Sequence, residues 1–260
     1  LKIQAHIHAE EMNEAKIKFF INISHEIRTP MTLIMAPLMS LIKDDHDPQR
    51  TGAYMTIKRN ADRILHLVSQ IMDLRKIEKG MMKMRMRETD LIGFVNDICY
   101  MFEYQAKAKK IKFKFIHEDE KLPVWIDLTN FDKVLVNLLS NAFKYTPTDG
   151  EVSITVSHDD NNVSIAVRDT GEGIPKDKIS KIFERFYQSE TYTNNRHLGT
   201  GIGLDLTNSL VLLHHGTITA KNNEDGPGAT FTVTIPLGNN HLMPDEIAIE
   251  APFFGKNVQS

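Results

Sequence analysis

The stretch "TNFDKVLVNLLSNAFKYTP", Thr129–Pro147, carries an apolar stripe with helical periodicity. Its apolar residues recur at spacings of three and four, which places them on one face of a helix that packs on a core. Thr129 and Asp132 stand at capping-box spacing, so we expect a helix from Thr129 to Tyr145. The stripe consists of Phe131, Val134, Leu135, Leu138 and Ala142.

A second face of this segment has an unusual polar composition. Asn137, Asn141 and Lys144 follow at i, i+4 and i+7, with Tyr145 beside them. A solvated helix face more often carries Glu, Lys and Gln, because asparagine is a poorer helix former. Asparagine oxygens can ligate a hard cation without adding charge, and a lysine can meet phosphate oxygens. The face therefore suits Mg²⁺ and a polyphosphate, although a solvated surface remains the alternative.

Two glycine-containing segments follow. In "RDTGEGIP", Asp169 ends a predicted strand, where its carboxylate can accept a hydrogen bond from an exocyclic amine, and the next glycines allow a flat ligand to approach the backbone. The segment "LGTGIGLDL" stands before a predicted helix, whose free N–H groups favour phosphate. No strand precedes it directly, which excludes the Rossmann and Walker patterns. Taken alone, each segment is also typical of an ordinary turn.

The composition is that of a globular chain. Its 260 residues favour two domains, and 41% hydrophobic residues suffice for cores. A net charge of −3 gives no reason to propose a nucleic-acid surface or a polybasic membrane anchor. The single cysteine, Cys99, excludes an internal disulfide and is expected to be a core residue. Without a long apolar run, the chain reads as a soluble fragment of a longer protein.

The first 79 residues read as a helical hairpin. The first helix is expected from about residue 5 to residue 43, and Asp47 and Pro48 are expected to begin the second. Both helices carry narrow a/d stripes that bury too little alone, so we predict a homodimeric four-helix bundle. The stripes are Phe20, Ile23, Ile27, Ile34 and Leu41 in the first helix, and Tyr54, Ile57, Ala61, Ile64, Val68 and Ile71 in the second.

From residue 80 to 238, short strands and amphipathic helices are mixed without regular βαβ alternation. This order predicts an α+β fold overall, with a helix layer on a mixed, largely antiparallel sheet in the second domain. Residues 239–260 are expected to be a tail or linker. Strands are predicted near 84–87, 111–118, 124–127, 151–158, 162–169, 217–221 and 229–237, and helices near 90–108, 129–145 and 203–214.

The stretch "FFINISHEIRTP" places a histidine on the outer face of the first helix. The heptad phase puts Ile23 and Ile27 inward and His25 outward, with Thr29 on the same face as His25. A lone histidine of this kind is more often an ordinary surface residue. An imidazole that is mostly neutral at pH 7 can also attack phosphorus, and exposure suits a reactant that arrives on another domain. Pro30 is expected to bend the helix.

Together these segments resemble the sensor histidine kinases of two-component signalling, over about residues 16–237. "SHEIRTP" resembles the phosphoacceptor motif, "NLLSNAFKYTP" the asparagine box, "DTGEGIP" and "GTGIGL" the glycine boxes, "IFERFYQ" the phenylalanine box and "GPGATFTVTIPL" the closing strand. The resemblance implies a dimeric helical hairpin followed by an α/β sandwich that binds ATP. It also implies the cofactor Mg²⁺ and, as partner, the receiver domain of a response regulator.

The resemblance implies a role for each of three candidate catalytic residues in the helical hairpin. His25 would attack the γ-phosphoryl group of ATP, with Glu26 as general base or orienter of the imidazole. The phosphoryl group would pass to an aspartate of the receiver domain. Thr29 would position water for dephosphorylation of that partner in a bifunctional member. Positioning and charge neutralisation supply most of the catalysis in such phosphoryl transfer.

The resemblance also implies the nucleotide site. Asn141 would ligate Mg²⁺ with help from Asn137, and Asp169 would receive the adenine amine. The segment from Gln188 to Leu198 reads as a mobile lid, and Gln188 departs from the basic residue of many relatives; Arg185 or Arg196 could substitute for it. Phe183 and Phe186 are expected to anchor the lid by packing. The other implied nucleotide-binding residues are Lys144, Tyr145, Gly171, Gly173, Gly199, Thr200, Gly201, Gly203 and Leu204.

Several questions stay open at this stage. The rival functions are another ATPase of the same superfamily, of chaperone or topoisomerase type, and a signalling scaffold or phosphatase without kinase activity. The region is expected to be the cytoplasmic portion of a membrane-anchored sensor. A receiver domain fused beyond the tail, as in hybrid kinases, is a hypothesis. The sequence identifies neither the stimulus nor the cognate partner, nor whether His25 is phosphorylated by its own subunit.

Overall fold

The computed structural model of the chain describes residues 24, 26–184 and 201–248. The chain divides into two compact units, and the division falls between Met82 and Lys83. The predicted seam residues Phe20 and Ile23, the phosphoacceptor candidate His25 and the predicted lid lie outside the described residues.

The first unit is a helical hairpin of α1, over residues 26–44, and α2, Pro48–Glu78. Asp47 caps α2, because its carboxylate accepts hydrogen bonds from the backbone N–H groups of Gln49 at 2.9 Å and Arg50 at 3.3 Å. Pro48 needs no such partner at the first helical position, since it has no N–H group. The predicted start of the second helix is confirmed.

Asp45 orders the connection between the two helices. Its carboxylate accepts hydrogen bonds from the backbone N–H of Asp47 at 3.0 Å and the hydroxyl of Tyr54 at 3.0 Å, and pairs with Nε of Arg50 at 2.8 Å. These partners, the N–H of Asp47 above all, hold the pKa of Asp45 below its usual value. The Asp45 carboxylate therefore ties the connection to the first turns of α2.

Both helices expose large apolar side chains within the single chain. Ile34 and Ile57, at predicted seam positions, are each 49% exposed, whereas Ala61 of the same seam is only 4% exposed. An apolar stripe that remains exposed in one copy is typical of a surface that another helix covers. The exposed residues of this kind are Leu33, Ile34, Met39, Leu41, Met55, Ile57 and Ile64.

The second unit mixes strands and helices. In chain order its described elements are β1 Arg87–Asp90, α3 Leu91–Lys109, β2 Lys112–Ile116, β3 Pro123–Ile126, α4 Leu128–Tyr145, β4 Glu151–His158, β5 Asn162–Asp169, α5 Gly203–Leu213, β6 Thr217–Asn222 and β7 Ala229–Pro236.

Five strands form one sheet in the order β2-β4-β5-β7-β6, and β1 pairs with β3 in a separate two-stranded sheet. Within the large sheet only β2 and β4 run parallel, while every other pair is antiparallel. Helices α3, α4 and α5 each contact this sheet, through β2, β5 and β6 respectively. The predicted helix layer on a mixed, largely antiparallel sheet is confirmed.

The predicted apolar stripe of α4 forms the centre of the core. All five of its residues are buried, and none is more than 4% exposed. Phe143 adds a ring stacked on Phe102 of α3, with centroids 5.3 Å apart. The Nζ of Lys109 donates a hydrogen bond to the carbonyl of Phe143 at 2.7 Å, which ties the end of α3 to α4.

The predicted start of α4 is wrong. The helix begins at Leu128, one residue earlier, and its N-cap is Asp127 rather than Thr129. One carboxylate oxygen of Asp127 accepts a hydrogen bond from the N–H of Asn130 at 3.1 Å, and the other accepts one from the N–H of Arg85 at 2.9 Å. Asp127 therefore accepts hydrogen bonds from two segments at once, and the bond from Arg85 lies beyond any local capping pattern.

The segment before β1 pairs with the chain beyond β7. Met86 donates its N–H to the carbonyl of Glu246 at 2.7 Å, and its own carbonyl accepts a hydrogen bond from the N–H of Ala248 at 2.8 Å. Met86 and Ile247 thus form an isolated parallel bridge. The strand expected near 84–87 is observed instead at Arg87–Asp90, where the chain pairs with β3. The part of the predicted tail that is described, 239–248, is held by this bridge.

Candidate functional site

The site is built around the polar face of α4. The side chains of this face are all half-buried, because the face borders the apolar face that packs on the core. They are Asn137, Asn141, Lys144 and Tyr145. Nδ2 of Asn137 donates a hydrogen bond to Oγ1 of Thr207 on α5 at 2.8 Å. This bond fixes the amide plane of Asn137 and shows which side of the amide carries the nitrogen, and the amide oxygen stays an acceptor that can meet a cation.

The second glycine-rich segment meets α4 at Asn137. A Cβ atom on Gly203, the first residue of α5, would lie 2.5 Å from Oδ1 of Asn137, so the side-chain amide packs directly on the glycine backbone. Gly201 precedes it with φ of +69°, a conformation that side chains other than glycine rarely adopt. Leu204 is half-buried on the first turn of α5. Gly199 and Thr200 lie outside the described residues.

Lys144 and Tyr145 form a pair at the end of α4. Nζ of Lys144 lies 3.2 Å from the hydroxyl of Tyr145 and 4.8 Å from the centroid of its ring. Burial raises the pKa of Tyr145, which keeps its phenol protonated at neutral pH. The pair therefore offers a cation and a neutral hydroxyl, both of which can meet phosphate oxygens.

Asp169 takes its place from the alternation of β5. Val163, Ile165 and Val167 point into the core, and Asp169 continues this sequence with only 6% of its surface exposed. Burial raises the pKa of its carboxyl group, and two backbone N–H groups, from Gly171 at 2.8 Å and from Ala229, oppose this shift. A carboxylate at this depth, held by fixed donors, is suited to accept a hydrogen bond from one specific amine.

The first glycine-rich segment lies between Asp169 and α4. A Cβ atom on Gly171 would lie 2.6 Å from the carbonyl oxygen of Tyr145 and 2.8 Å from Oδ1 of Asp169. Gly173 has φ of +76°. The glycine at 171 thus lets the loop after β5 pass against the end of α4, which brings Asp169 and Tyr145 to one site.

The structure distributes the predicted site residues over the two units. The nucleotide candidates, from Asn137 to Leu204, belong to the second unit. Glu26 and Thr29 are exposed on α1 of the first unit. Phe183, expected to anchor the lid by packing, lies with its ring edge-on to Phe231, centroids 6.4 Å apart.

Three residues of the site were not predicted from the sequence. Thr207 orients Asn137, and the asparagines at 222 and 223 contact the loop that contains Gly171 and Gly173. The only signal for the asparagines is the pair "NN" at the end of a predicted strand, a pattern that is also typical of a turn. Thr207 carries no signal beyond a hydroxyl on the buried face of α5.

The donor set favours a cation that is bound together with a phosphate ligand. Over the described ranges there is no cluster of three or more His, Cys, Asp or Glu side chains that could hold a metal ion. Asn137 and Asn141 contribute neutral oxygens only, and such oxygens suit Mg²⁺ when phosphates supply the negative charge.

In the same described part of the chain, no helix is long and apolar enough to span a membrane.

Each of the two units matches a known protein family. Residues 126–239 match the family described as "Histidine kinase-, DNA gyrase B-, and HSP90-like ATPase". Residues 15–80 match the family described as "His Kinase A (phospho-acceptor) domain".

Two relatives resemble nearly the whole chain. Histidine kinase P4 of Formosa agariphila is 35% identical over 242 residues, which cover 92% of this chain and 18% of the relative. Hybrid signal transduction histidine kinase D of Dictyostelium discoideum is 37% identical over 237 residues, which cover 89% of this chain and 15% of the relative. The chain therefore spans less than a fifth of the length of these two relatives.

Solved structures show the same architecture. The catalytic domain of histidine kinase ThkA is 30% identical with a TM-score of 0.53, and the match covers 59% of this chain and 99% of that domain. Histidine kinase ThkA in complex with response regulator protein TrrA matches with a TM-score of 0.55 at 24% identity, covering 90% of this chain and 66% of that one. At the latter identity the likeness is one of fold.

Fold, site and family match define the second unit as an ATP-binding domain of the histidine kinase, gyrase B and HSP90-like class. With the phospho-acceptor domain that precedes it, the chain belongs to the sensor histidine kinases.

Proposed function

We propose that this protein catalyses ATP-dependent autophosphorylation of His25, within or between the subunits of a dimer, and then transfers the phosphoryl group to an aspartate on a response-regulator receiver domain. The observation that carries the proposal is the meeting of Asp169, Gly171 and the end of α4 at one site, in a chain that also contains a phospho-acceptor domain. The curated relatives named above are histidine kinases, which supports the same reaction class.

In the proposed reaction a ring nitrogen of His25 attacks the γ-phosphorus of ATP. A P–N bond forms, the P–O bond to the β-phosphate breaks, and ADP leaves. Glu26 takes up the proton that the imidazole loses, or orients the ring so that the lone pair faces phosphorus. In the second step an aspartate oxygen of the receiver domain attacks the same phosphorus and the P–N bond breaks.

The nucleotide would be held by the second unit. Asp169 accepts a hydrogen bond from the exocyclic amine of adenine, and Lys144 and Tyr145 meet phosphate oxygens from the end of α4. Asn141 and Asn137 would hold Mg²⁺ through their amide oxygens. When bound, the cation neutralises charge on the phosphates.

The helical unit is proposed to form a homodimer. The seam residues Ile34, Leu41, Ile57 and Ile64 are 44–49% exposed in one copy, and a second hairpin would cover them in a four-helix bundle. Size measurement of Ile57→Glu beside Arg59→Glu, an exposed position off the seam, tests this. The first variant should be monomeric and the second dimeric.

The central experiment is incubation with Mg²⁺ and γ-labelled ATP. We expect an acid-labile, alkali-stable label that is absent in His25→Gln and in Asn141→Ala. His46→Gln, in the exposed turn between the helices, and Asn96→Ala, exposed on α3, are the matched controls and should keep the label. Label that survives in His25→Gln would contradict the site. Bound ATP without any label would favour a scaffold without kinase activity.

Thr29 is proposed to support dephosphorylation of the partner. It is exposed on α1 and stands four residues after His25 in the sequence, a spacing that predicts a shared helical face. A phosphorylated receiver domain should lose phosphate faster with the wild type than with Thr29→Ala. Thr32→Ala, also exposed, is the control. Equal rates for all three proteins would remove Thr29 from the proposed reaction.

We infer that this region works in the cytoplasm as part of a membrane-anchored sensor. ATP and receiver domains are both available there, and the single cysteine fits a reducing compartment. Recovery of the full-length protein in the membrane fraction, with this region cleaved only by protease added to the cytoplasmic side, is the expected result. Protection on that side would contradict the inference.

A further inference from the structure

Two successive asparagines hold both ends of the loop that follows β5. This loop, residues 169–174 with the sequence "DTGEGI", begins with the buried Asp169 and ends at Ile174. Asn222 is the last residue of β6, and Asn223 opens the turn from β6 to β7. Both asparagines are half-buried, although they belong to a turn whose tip is exposed.

Asn222 binds the far end of the loop through both atoms of its amide. Its Oδ1 accepts a hydrogen bond from the N–H of Ile174 at 2.7 Å, and its Nδ2 donates one to the carbonyl of Ile174 at 2.6 Å. The amide thus makes the pair of hydrogen bonds to Ile174 that the backbone of a neighbouring strand would make. A Cβ atom on Gly173 would lie 2.9 Å from Oδ1 of Asn222, so the loop backbone is packed on the amide as well as bonded to it.

Asn223 supports the near end of the loop. Its Nδ2 donates hydrogen bonds to the carbonyls of Asp169 and Pro227, both at 2.8 Å, and its Oδ1 accepts one from Oγ1 of Thr230 at 2.7 Å. Ala229, the first residue of β7 after this turn, supplies its N–H to the Asp169 carboxylate. The backbone of Asp169 is therefore held from the β6–β7 turn and its side chain from the start of β7.

We propose that Asn222 and Asn223 are positioning residues that fix the Asp169 carboxylate for recognition of the adenine amine. The inference rests on the proposed function, in which Asp169 accepts that hydrogen bond. A fixed carboxylate selects a 6-amino purine and rejects a 6-oxo purine, because the oxo group and the carboxylate are both acceptors. A loop released at Ile174 would let Asp169 shift and would weaken this selection.

The test compares the affinity for ATP with that for inosine triphosphate, which carries an oxo group in place of the amine. In Asn222→Ala we expect ATP affinity to fall about tenfold, the change that one well-made hydrogen bond supplies, with little change for inosine triphosphate. The selectivity ratio, which is the dissociation constant of inosine triphosphate divided by that of ATP, should fall by the same factor. Asn223→Ala should change the ratio in the same direction.

Two further variants make the result specific. Asn222→Asp has the same shape but places an oxygen against the carbonyl of Ile174, so it should lower the ratio even if Asn222→Ala does not fold. Asn161→Ala changes an exposed asparagine in the β4–β5 turn and should keep the wild-type ratio. A merely structural role would weaken both nucleotides equally, and this outcome overturns the proposal.

Failure of this inference can be told from failure of the proposed function. If Asp169→Asn leaves the affinity for ATP unchanged, the assignment of the adenine site is wrong, and the positioning role fails with it. If Asp169→Asn weakens ATP binding while folded Asn222→Ala or Asn222→Asp keeps the wild-type ratio, only the positioning role is overturned.

Discussion

The backbone N–H of Asp127 donates a hydrogen bond to Nε2 of His214 at 3.2 Å. Nδ1 of the same ring lies 2.7 Å from the carbonyl oxygen of Leu210, which can only accept, so Nδ1 carries the ring proton. His214 is 2% exposed and stands edge-on to Phe131, with ring centroids 5.0 Å apart. A neutral imidazole thus joins the N-cap of α4 to the end of α5, the two helices that carry the proposed nucleotide site.

The neutral state of His214 predicts a loss of stability in acid. Burial lowers its pKa below the usual 6.5, so below pH 6.5 the unfolded chain binds a proton that the folded chain excludes. This contribution to the free energy of unfolding is fully present above pH 6.5. It decreases as the pH is lowered, by at most about 1.4 kcal/mol per pH unit, until the folded-state pKa is reached. Urea unfolding between pH 8 and pH 5 measures it.

The variant His214→Gln isolates this contribution. Glutamine keeps a donor and an acceptor but does not titrate, so its free energy of unfolding should fall less than that of the wild type between pH 7 and pH 5. His117→Gln, at an exposed position, is the control and should follow the wild type. Parallel curves for His214→Gln and wild type would contradict a buried neutral histidine.

Cys99 is predicted to be inert in the folded protein. It is 7% exposed, and burial raises the pKa of its thiol to about 12. At pH 8 only about one thiol in ten thousand is then ionised, and the thiolate is the reactive form. As the single cysteine, it should react with an aromatic disulfide reagent only as fast as the domain unfolds, and at once in concentrated urea. Rapid labelling without urea would contradict this burial.

Sequence patterns predicted those parts of the site that one element carries by itself. The apolar stripe of α4 and its asparagine face follow from the period of the helix, and Asp169 follows from the end of a predicted strand. The start of α4 was misplaced by one residue, since Asp127 is its N-cap through the local N–H of Asn130. Asp127 also binds the N–H of Arg85, a partner 42 residues away. Local cap patterns contain no information about such a partner.

Contacts between distant segments could not be predicted for the same reason. Asn222 binds Ile174 across 48 residues, and its local sequence "KNNEDGPG" is typical of any polar turn. Met86 and Ile247 pair through backbone groups, which every residue possesses, so their side chains give no sign of it. These positions depend on how the whole sheet is assembled.

Thr207 is predicted to stabilise the domain through Asn137. Thr207→Val keeps the shape of the side chain but removes the oxygen that accepts the hydrogen bond from Nδ2 of Asn137. The half-buried amide then lacks its partner, and we expect a loss of about 1 kcal/mol in the free energy of unfolding, with weaker ATP binding in Mg²⁺.

The control for Thr207→Val is Thr219→Val, on an exposed position of β6. Urea unfolding and ATP titration of both variants give the comparison. Valine is favoured in strands, so the control should be at least as stable as the wild type. If Thr207→Val retains both stability and ATP affinity, the orientation of Asn137 does not depend on this bond.

Gly203 is predicted to tolerate no side chain, although it is a helix residue. Alanine at a helix position usually stabilises by up to about 1 kcal/mol relative to glycine. At Gly203, however, a Cβ atom would lie 2.5 Å from Oδ1 of Asn137, so the asparagine must move or α5 must shift. We expect Gly203→Ala to lower ATP affinity and His25 labelling by about tenfold or more, since a loss of 1.4 kcal/mol is sufficient for that change.

Gly226→Ala is the matched control for Gly203→Ala, because a Cβ atom at Gly226 has no neighbour within 4 Å, and it should behave as wild type. Equal ATP affinity in the two alanine variants would show that contact between Gly203 and Asn137 is not needed for nucleotide binding.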